Sequence, residues 1–222
     1  MDEGGPFAMN AAMTRVDIIE EASAQAVARW IGARIAAALD ASVGRVDISV
    51  PGGSTPFPIF AELVQQALDF GRLRVAAGDD RVVPEDHAAS NTGKIRAIFE
   101  PAGATVASPV DPDFEPAHYA LCWLGMGGDG HVASLFPNTD PQVDDPRMVR
   151  RLTPDPLPPE APFDRVTLTI PALLDTDELM FVIRGEDKRA VFDAAIGGEH
   201  DLPVARLLAE AARRGIPVTV FT

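Results

Sequence analysis

Cysteine occurs once in this 222-residue chain, at Cys122, so no disulfide can form within it. A small scaffold stapled by disulfides is excluded, and a chain of this length hides roughly 70% of its extended surface on folding without such help. Basic residues are also scarce: 19 Lys and Arg face 33 Asp and Glu, for a net charge of −14. No concentrated Lys/Arg stripe is visible, which argues against a broad nucleic-acid-binding face. An anionic partner must therefore meet a small positive pocket within a negative shell. No apolar run reaches membrane-spanning length. Histidine is sparse too. His87, His118, His131 and His200 are widely separated and form neither H-E-x-x-H nor a Cys/His zinc pattern, so no metal site is expected. The opening Met1-Asp2-Glu3-Gly4-Gly5 is acidic and glycine-rich, unlike a secretory or transit peptide. A cytoplasmic residence is expected, with residues 1–14 a flexible tail and residues 15–222 one α/β domain.

What is present is globular in composition, with 46% apolar and 23% charged residues, while 20 prolines and 18 glycines predict many ordered loops. Val27, Trp30, Ile31, Ile35, Ala38 and Leu39 fall at helical spacing, which predicts a helix over 20–40. Strands are predicted at 46–50, 73–77, 119–124, 165–169, 179–183 and 217–221. Helices are predicted from Pro56 with Phe60, Leu63, Val64 and Ala67 buried, from Ser90 or Asn91, and over 187–196 and 202–213. Alternation of this kind makes the fold class α/β, an open, mostly parallel Rossmann-like sheet flanked by helices. Polar residues would then gather at the carboxyl ends of the strands, where such sheets place their ligand crevices. Cys122 lies in the apolar run Tyr119–Leu124 and reads as a buried, inert thiol. Residues 137–162 break the rhythm with eight prolines. They read as a long loop of the same domain, packed over or beside the pocket.

Three loops carry the candidate chemistry. Pro51-Gly52-Gly53-Ser54-Thr55-Pro56 joins a strand to a helix, with Thr55 placed to cap and Pro56 in the first turn. Its small residues let backbone N–H groups and the hydroxyls of Ser54 and Thr55 approach one phosphate group, although an ordinary capped glycine turn fits equally well. No lysine follows as in a nucleoside-triphosphate loop. Gly78-Asp79-Asp80-Arg81 reads either as a solvated turn or as one carboxylate directed into a pocket beside an arginine that grips an anion. Gly125-Met126-Gly127-Gly128-Asp129-Gly130 formally matches G-x-G-x-x-G, but Pro137, Pro141 and Pro146 interrupt the helix and strand that a dinucleotide site requires. More informative is Asp129-Gly130-His131, where glycine-held backbone can fix one imidazole beside one carboxylate, a pair suited to taking a proton from water. The plainer alternative makes His131 a helix-start residue and Asp129 a cap. Arg165 and Lys188 stand at a strand start and a helix start. They are either surface charges or part of a positive well converging on the Gly52–Thr55 loop. Ser134 lacks the G-x-S-x-G setting of a serine hydrolase, and the acids near Asp79 lack a glycosidase spacing.

Taken in order, Gly52-Gly53-Ser54-Thr55-Pro56, Gly78-Asp79-Asp80-Arg81 with Ser90-Asn91, Leu124-Gly125-Met126-Gly127-Gly128-Asp129-Gly130-His131 with Val132-Ala133-Ser134-Leu135-Phe136-Pro137, Arg165–Thr169 and Gly185–Ala190 resemble the 6-phosphogluconolactonase branch of the glucosamine-6-phosphate isomerase/6-phosphogluconolactonase family. The likeness runs from about residue 15 to near the end. Arg81 stands where the deaminase branch typically carries Tyr. Two positions depart from the family pattern, Asp80 for a usual Glu and Gly128 for a frequent Pro. The resemblance implies hydrolysis of 6-phospho-D-glucono-1,5-lactone to 6-phospho-D-gluconate without a cofactor, in a monomer or homodimer. It implies His131 as the base and Asp129 and Asp79 as its acidic partners, with roles that could be exchanged. Gly52, Gly53, Ser54, Thr55, Arg81, Gly127, Arg165 and Lys188 would bind substrate. The rival readings are a glucosamine-6-phosphate deaminase and a non-catalytic sugar-phosphate sensor.

Overall fold

The computed structural model describes residues 16–157 and 162–222. The expected tail at 1–14 lies outside the described residues, as do Pro158 and Pro159 of the proline-rich segment. In chain order the elements are β1 (Val16–Ile19), α1 (Ala24–Ala41), β2 (Val46–Val50), α2 (Pro56–Leu63), β3 (Leu73–Ala77), β4 (Asp79–Arg81), α3 (Asn91–Phe99), β5 (Thr105–Ala107), β6 (Leu121–Leu124), β7 (Val149–Leu152), β8 (Arg165–Leu168), α4 (Ile170–Leu173), β9 (Leu179–Val182), α5 (Glu186–Gly197), α6 (Pro203–Arg214) and β10 (Val218–Phe221).

Seven strands form one parallel sheet in the order β1-β10-β9-β6-β2-β3-β5. Helices cover both faces, so its central strands must be apolar on both sides, and β6, β9 and β10 are buried along their whole length. One face packs Ile48, Leu121, Trp123 and Met180 against Ile31 of α1, Phe60 of α2 and Ile95 of α3. The other packs Cys122, Leu124, Phe181 and Val220 against Leu173 of α4, Phe192 of α5 and Leu207 of α6. Cys122 is fully buried, and burial pushes its thiol up to about 12, which leaves it un-ionised at neutral pH.

Several expectations are corrected. Asp79-Asp80-Arg81, read as a polar turn, is a strand, because β4 pairs antiparallel with β8. The strand at Arg165 does not belong to the parallel sheet; β8 sits between β4 and β7 in a separate three-stranded antiparallel sheet. The proline-rich segment is thus partly regular, contributing β7 through pairing that no local pattern encodes. α1 starts at Ala24 rather than residue 20, since Ser23 accepts the N–H of Ala26 at 3.1 Å and caps it. Thr55 does not cap α2: its backbone is already helical and its hydroxyl makes no capping bond, although Pro56 does open the helix. α2 ends at Leu63, leaving Ala67 outside it and exposed.

Phe60 packs α2 against α3 and β6. It is fully buried, with ring centroids 5.7 Å from Phe57, 5.1 Å from Phe99 and 5.3 Å from Trp123. Phe60→Ala removes these edge contacts and opens a cavity, and is expected to cost about 3–5 kcal/mol in urea denaturation. A loss below about 1 kcal/mol would show that the core closes around the site without this ring.

Candidate active site

The chain leaves β2 in one direction, toward β3 and β5, and returns through β6 to build β9 and β10 on the other side. The carboxyl ends of neighbouring β2 and β6 therefore face a topological switch point, where connections diverge and a crevice opens. Val50 of β2 runs into the Gly52–Thr55 loop, and Leu124 of β6 runs into the Gly125–His131 loop. Both loops line one crevice of about 420 Å³, joined by Asp79 and Arg81 of β4, Asn91, Ser134, Phe136, Arg165 of β8 and Lys188 of α5.

On the β6 side the loop is drawn tight: Gly127 N–H donates to His131 O at 3.0 Å and Gly130 N–H to Gly127 O at 3.1 Å. Val204 N–H in the first turn of α6 holds Gly130 O at 3.0 Å. His131 Nδ1 lies 2.6 Å from Asp129 Oδ1, and its ring rests on Phe136 with centroids 4.8 Å apart. Asp129 accepts from Nδ1–H, which leaves Nε2 as the basic nitrogen. Asp129 itself does not line the crevice; it stands behind the imidazole with its side chain 54% exposed. Gly127 makes room for the pair, since a Cβ there would overlap both the imidazole and the Asp129 carboxylate and force them to shift. Gly128 has no such constraint, as a Cβ would meet open space. Ala133 adopts a left-handed backbone (φ +49°), a strained state for a non-glycine residue, in the turn between His131 and Ser134.

Strand alternation sorts the acidic pair. Asp79 and Arg81 face the crevice, while Asp80 points the other way and is 1% exposed. Asp80 accepts the N–H groups of Asn91 at 2.7 Å and Thr92 at 2.8 Å, so its charge sits at the positive end of α3. Asp79 Oδ2 accepts the Ser134 hydroxyl at 2.5 Å. Burial raises the Asp79 carboxyl above its usual value of 3.8, opposed by the Ser134 hydroxyl and the Arg81 guanidinium. Arg81 and Arg165 are direct cross-strand partners. Two guanidiniums placed opposite one another on the crevice wall repel, and an anion between them relieves that repulsion. On the β2 side, Gly53 is left-handed (φ +89°), and Ser54 and Thr55 are exposed at the crevice mouth.

The structure thus brings together ten of the eleven expected site residues, with Asp129 the exception, one layer behind His131. Asn91, Ser134 and Phe136 were not expected as site residues. Described residues 137–157 and 162 do not line the crevice, so the described part of the proline-rich segment lies beside it, with β7 paired to β8, and not over it. A larger recess of about 590 Å³ lies near β5, lined by Arg45, Arg74 and Arg96. These arginines already face Asp47 and Glu85 in ion pairs. Among the described residues no cluster of three or more His, Cys, Asp or Glu could hold a metal ion, and no helix is long and apolar enough to cross a membrane.

A sequence model described as "Glucosamine-6-phosphate isomerases/6-phosphogluconolactonase" matches residues 19–110 and 100–215. The chain belongs to this family. Relatives within it include the 6-phosphogluconolactonase of Neisseria meningitidis serogroup A, 34% identical over 201 residues spanning 80% of this chain and 85% of that protein. The 6-phosphogluconolactonase of Pseudomonas aeruginosa is 32% identical over 212 residues, spanning 84% and 88% of the two chains. Among solved structures, a 6-phosphogluconolactonase from Shewanella baltica superposes with a TM-score of 0.77 at 26% identity, covering 95% of this chain and 98% of that one.

The raised Asp79 carboxyl has a measurable consequence. Because its folded-state pKa lies above the unfolded value, its contribution to stability is full below about pH 3.8 and is lost as pH rises through the folded-state value. Asp79→Asn cannot ionise. The stability of wild type relative to this variant is therefore expected to fall as pH rises above about 3.8 in urea titrations. A pH-independent difference would contradict burial of the charge.

Proposed function

We propose that the chain hydrolyses 6-phospho-D-glucono-1,5-lactone to 6-phospho-D-gluconate, the lactone step of the oxidative pentose phosphate pathway, with His131 as the base. The observation that carries this reading is the division of one crevice into two chemistries. A paired imidazole and carboxylate stands on the β6 loop, and two opposed guanidiniums beside a glycine-rich loop form the other wall. The lactonase names of relatives at 30–34% identity support the same substrate.

His131 Nε2 takes a proton from water as the water oxygen bonds to C1 of the lactone, giving a tetrahedral oxyanion. The imidazolium, held by Asp129 through Nδ1–H, then returns the proton to the ring oxygen as the C1–O bond breaks. Asp129 orients the ring and stabilises its charged form, while Asp79, fixed by Ser134, is placed to hold sugar hydroxyls. The imidazolium formed in the first step lies beside the developing negative charge and favours it. Gly52, Gly53, Ser54 and Thr55, with Arg81, Arg165 and Lys188, bind the 6-phosphate and so position the carbonyl at His131. Gly127 contributes space rather than a donor, since its N–H is committed to His131 O.

A side-by-side assay tests the reading. Purified enzyme is expected to consume the phosphorylated lactone faster than spontaneous hydrolysis, with no added metal or nicotinamide, and to release no ammonium from glucosamine 6-phosphate. His131→Ala should lower kcat by about 10²–10⁴-fold, and Gly127→Ala should lower it by displacing the same ring. Full activity in His131→Ala would remove the base assignment. Ammonium release without lactone turnover would transfer the chain to the deaminase branch.

A further inference from the structure

Arg81 directly follows Asp79 and Asp80 in sequence, yet among the described residues no carboxylate grips it. Both oxygens of Asp80 are occupied by other donors: Oδ1 accepts Arg81 N–H and Asn91 N–H, and Oδ2 accepts the Ser90 hydroxyl and Thr92 N–H. Asp79 Oδ2 takes the hydroxyl of Ser134. The Arg81 guanidinium instead donates to two neutral carbonyls, Ala89 O at 2.9 Å and Asn91 Oδ1 at 3.0 Å. Asn91 is 3% exposed, and its Nδ2 donates to Asp79 O at 3.1 Å. Its side chain also fills the space that a Cβ on Gly52 would need. One buried amide therefore touches the arginine, the strand that carries Asp79, and the glycine-rich loop.

We propose that Asn91 is a positioning residue for phosphate recognition. It clamps Arg81 through a neutral acceptor, so that the guanidinium keeps its charge for the substrate phosphate, and it sets the Gly52–Thr55 loop beside that charge. The inference rests on the phosphate-site reading given above. A carboxylate at this position would occupy the same volume but would pair with Arg81 and compete with the phosphate for it. It would also place an acceptor against Asp79 O, where the amide now donates. The capping of α3 does not depend on the Asn91 side chain, because Ser90 Oγ accepts Gly93 N–H at 3.0 Å and Asp80 accepts the first backbone amides.

The neutral-clamp role and a purely structural role order the variants oppositely. If Asn91 only fills space, Asn91→Asp is milder than Asn91→Ala. If it preserves the charge of Arg81, Asn91→Asp is the more damaging to binding. Steady-state kinetics on 6-phosphogluconolactone, with 6-phosphogluconate as competitive inhibitor, are expected to show KM and the inhibition constant rising by about tenfold or more in Asn91→Asp, and less in Asn91→Ala. In both variants kcat should stay within about threefold of wild type. An equal or larger KM effect in Asn91→Ala, or no KM effect in either, overturns the proposal. If Asn91→Asp does not fold, Asn91→Ala combined with Arg81→Ala decides: the loss of binding in the double variant should be clearly smaller than the sum of the two single losses, and additive losses refute the clamp. Arg81→Ala alone separates the two readings. If it leaves KM and inhibition unchanged, the phosphate site itself is misplaced; if it raises both while Asn91→Asp does not, only the clamp fails.

Discussion

Like charges set opposite one another across an antiparallel pair cost stability, yet β4 and β8 place Arg81 directly opposite Arg165. Much of the site is arranged around that confrontation. Arg165 is 3% exposed, and burial followed by the nearness of Arg81 lowers its pKa, while Asp79 and Asp80 act in the opposite sense. The repulsion is tolerated because two carboxylates stand nearby without closing a short ion pair onto Arg81. One is capping α3 and the other is bonded to a serine. What results is a compact positive wall in which neutral carbonyls hold the Arg81 guanidinium.

The parallel sheet supplies the opposite wall. Divergence at β2 and β6 brings the glycine-rich loop and the histidine loop to the same end of adjacent strands, so groups far apart in sequence share one crevice. The division of labour follows from this topology. On the proposed reading, phosphate-directed groups come from β2, β4, β8 and α5, and the proton-transfer pair comes from the β6 loop. On the same reading the acidic surplus acquires a meaning: with a net charge of −14, attraction of an anionic substrate falls to a local cluster of guanidiniums.

Where sequence alone sufficed, the signal was local. β2 and β3 match their expected bounds because apolar runs speak for themselves, and α3, expected from Ser90 or Asn91, begins at Asn91 behind its Ser90 cap. The histidine loop was legible through its glycines. Asp79-Asp80-Arg81 and Val149–Leu152 were not legible as strands, since three charged residues and a stretch amid prolines carry no β pattern and become regular only by pairing with β8. The same non-local pairing took Arg165 out of the parallel sheet while keeping it in the site. Ser134 was set aside for lacking a nucleophile's setting, whereas its hydroxyl serves as a donor to Asp79. Asn91 stood in a recognised motif next to a helix cap, and nothing in its spacing shows that its amide reaches back to Arg81 and Gly52.

The central claim is that one crevice holds the phosphate on the Arg81–Arg165 wall and the lactone carbonyl at His131. A crystal structure of the wild-type chain with 6-phosphogluconate tests it most directly. The account places the phosphate within hydrogen-bonding distance of both guanidiniums and of the Gly52–Thr55 loop, with the product carboxylate toward His131 Nε2. A phosphate seated against His131, or in the recess near β5, would contradict it.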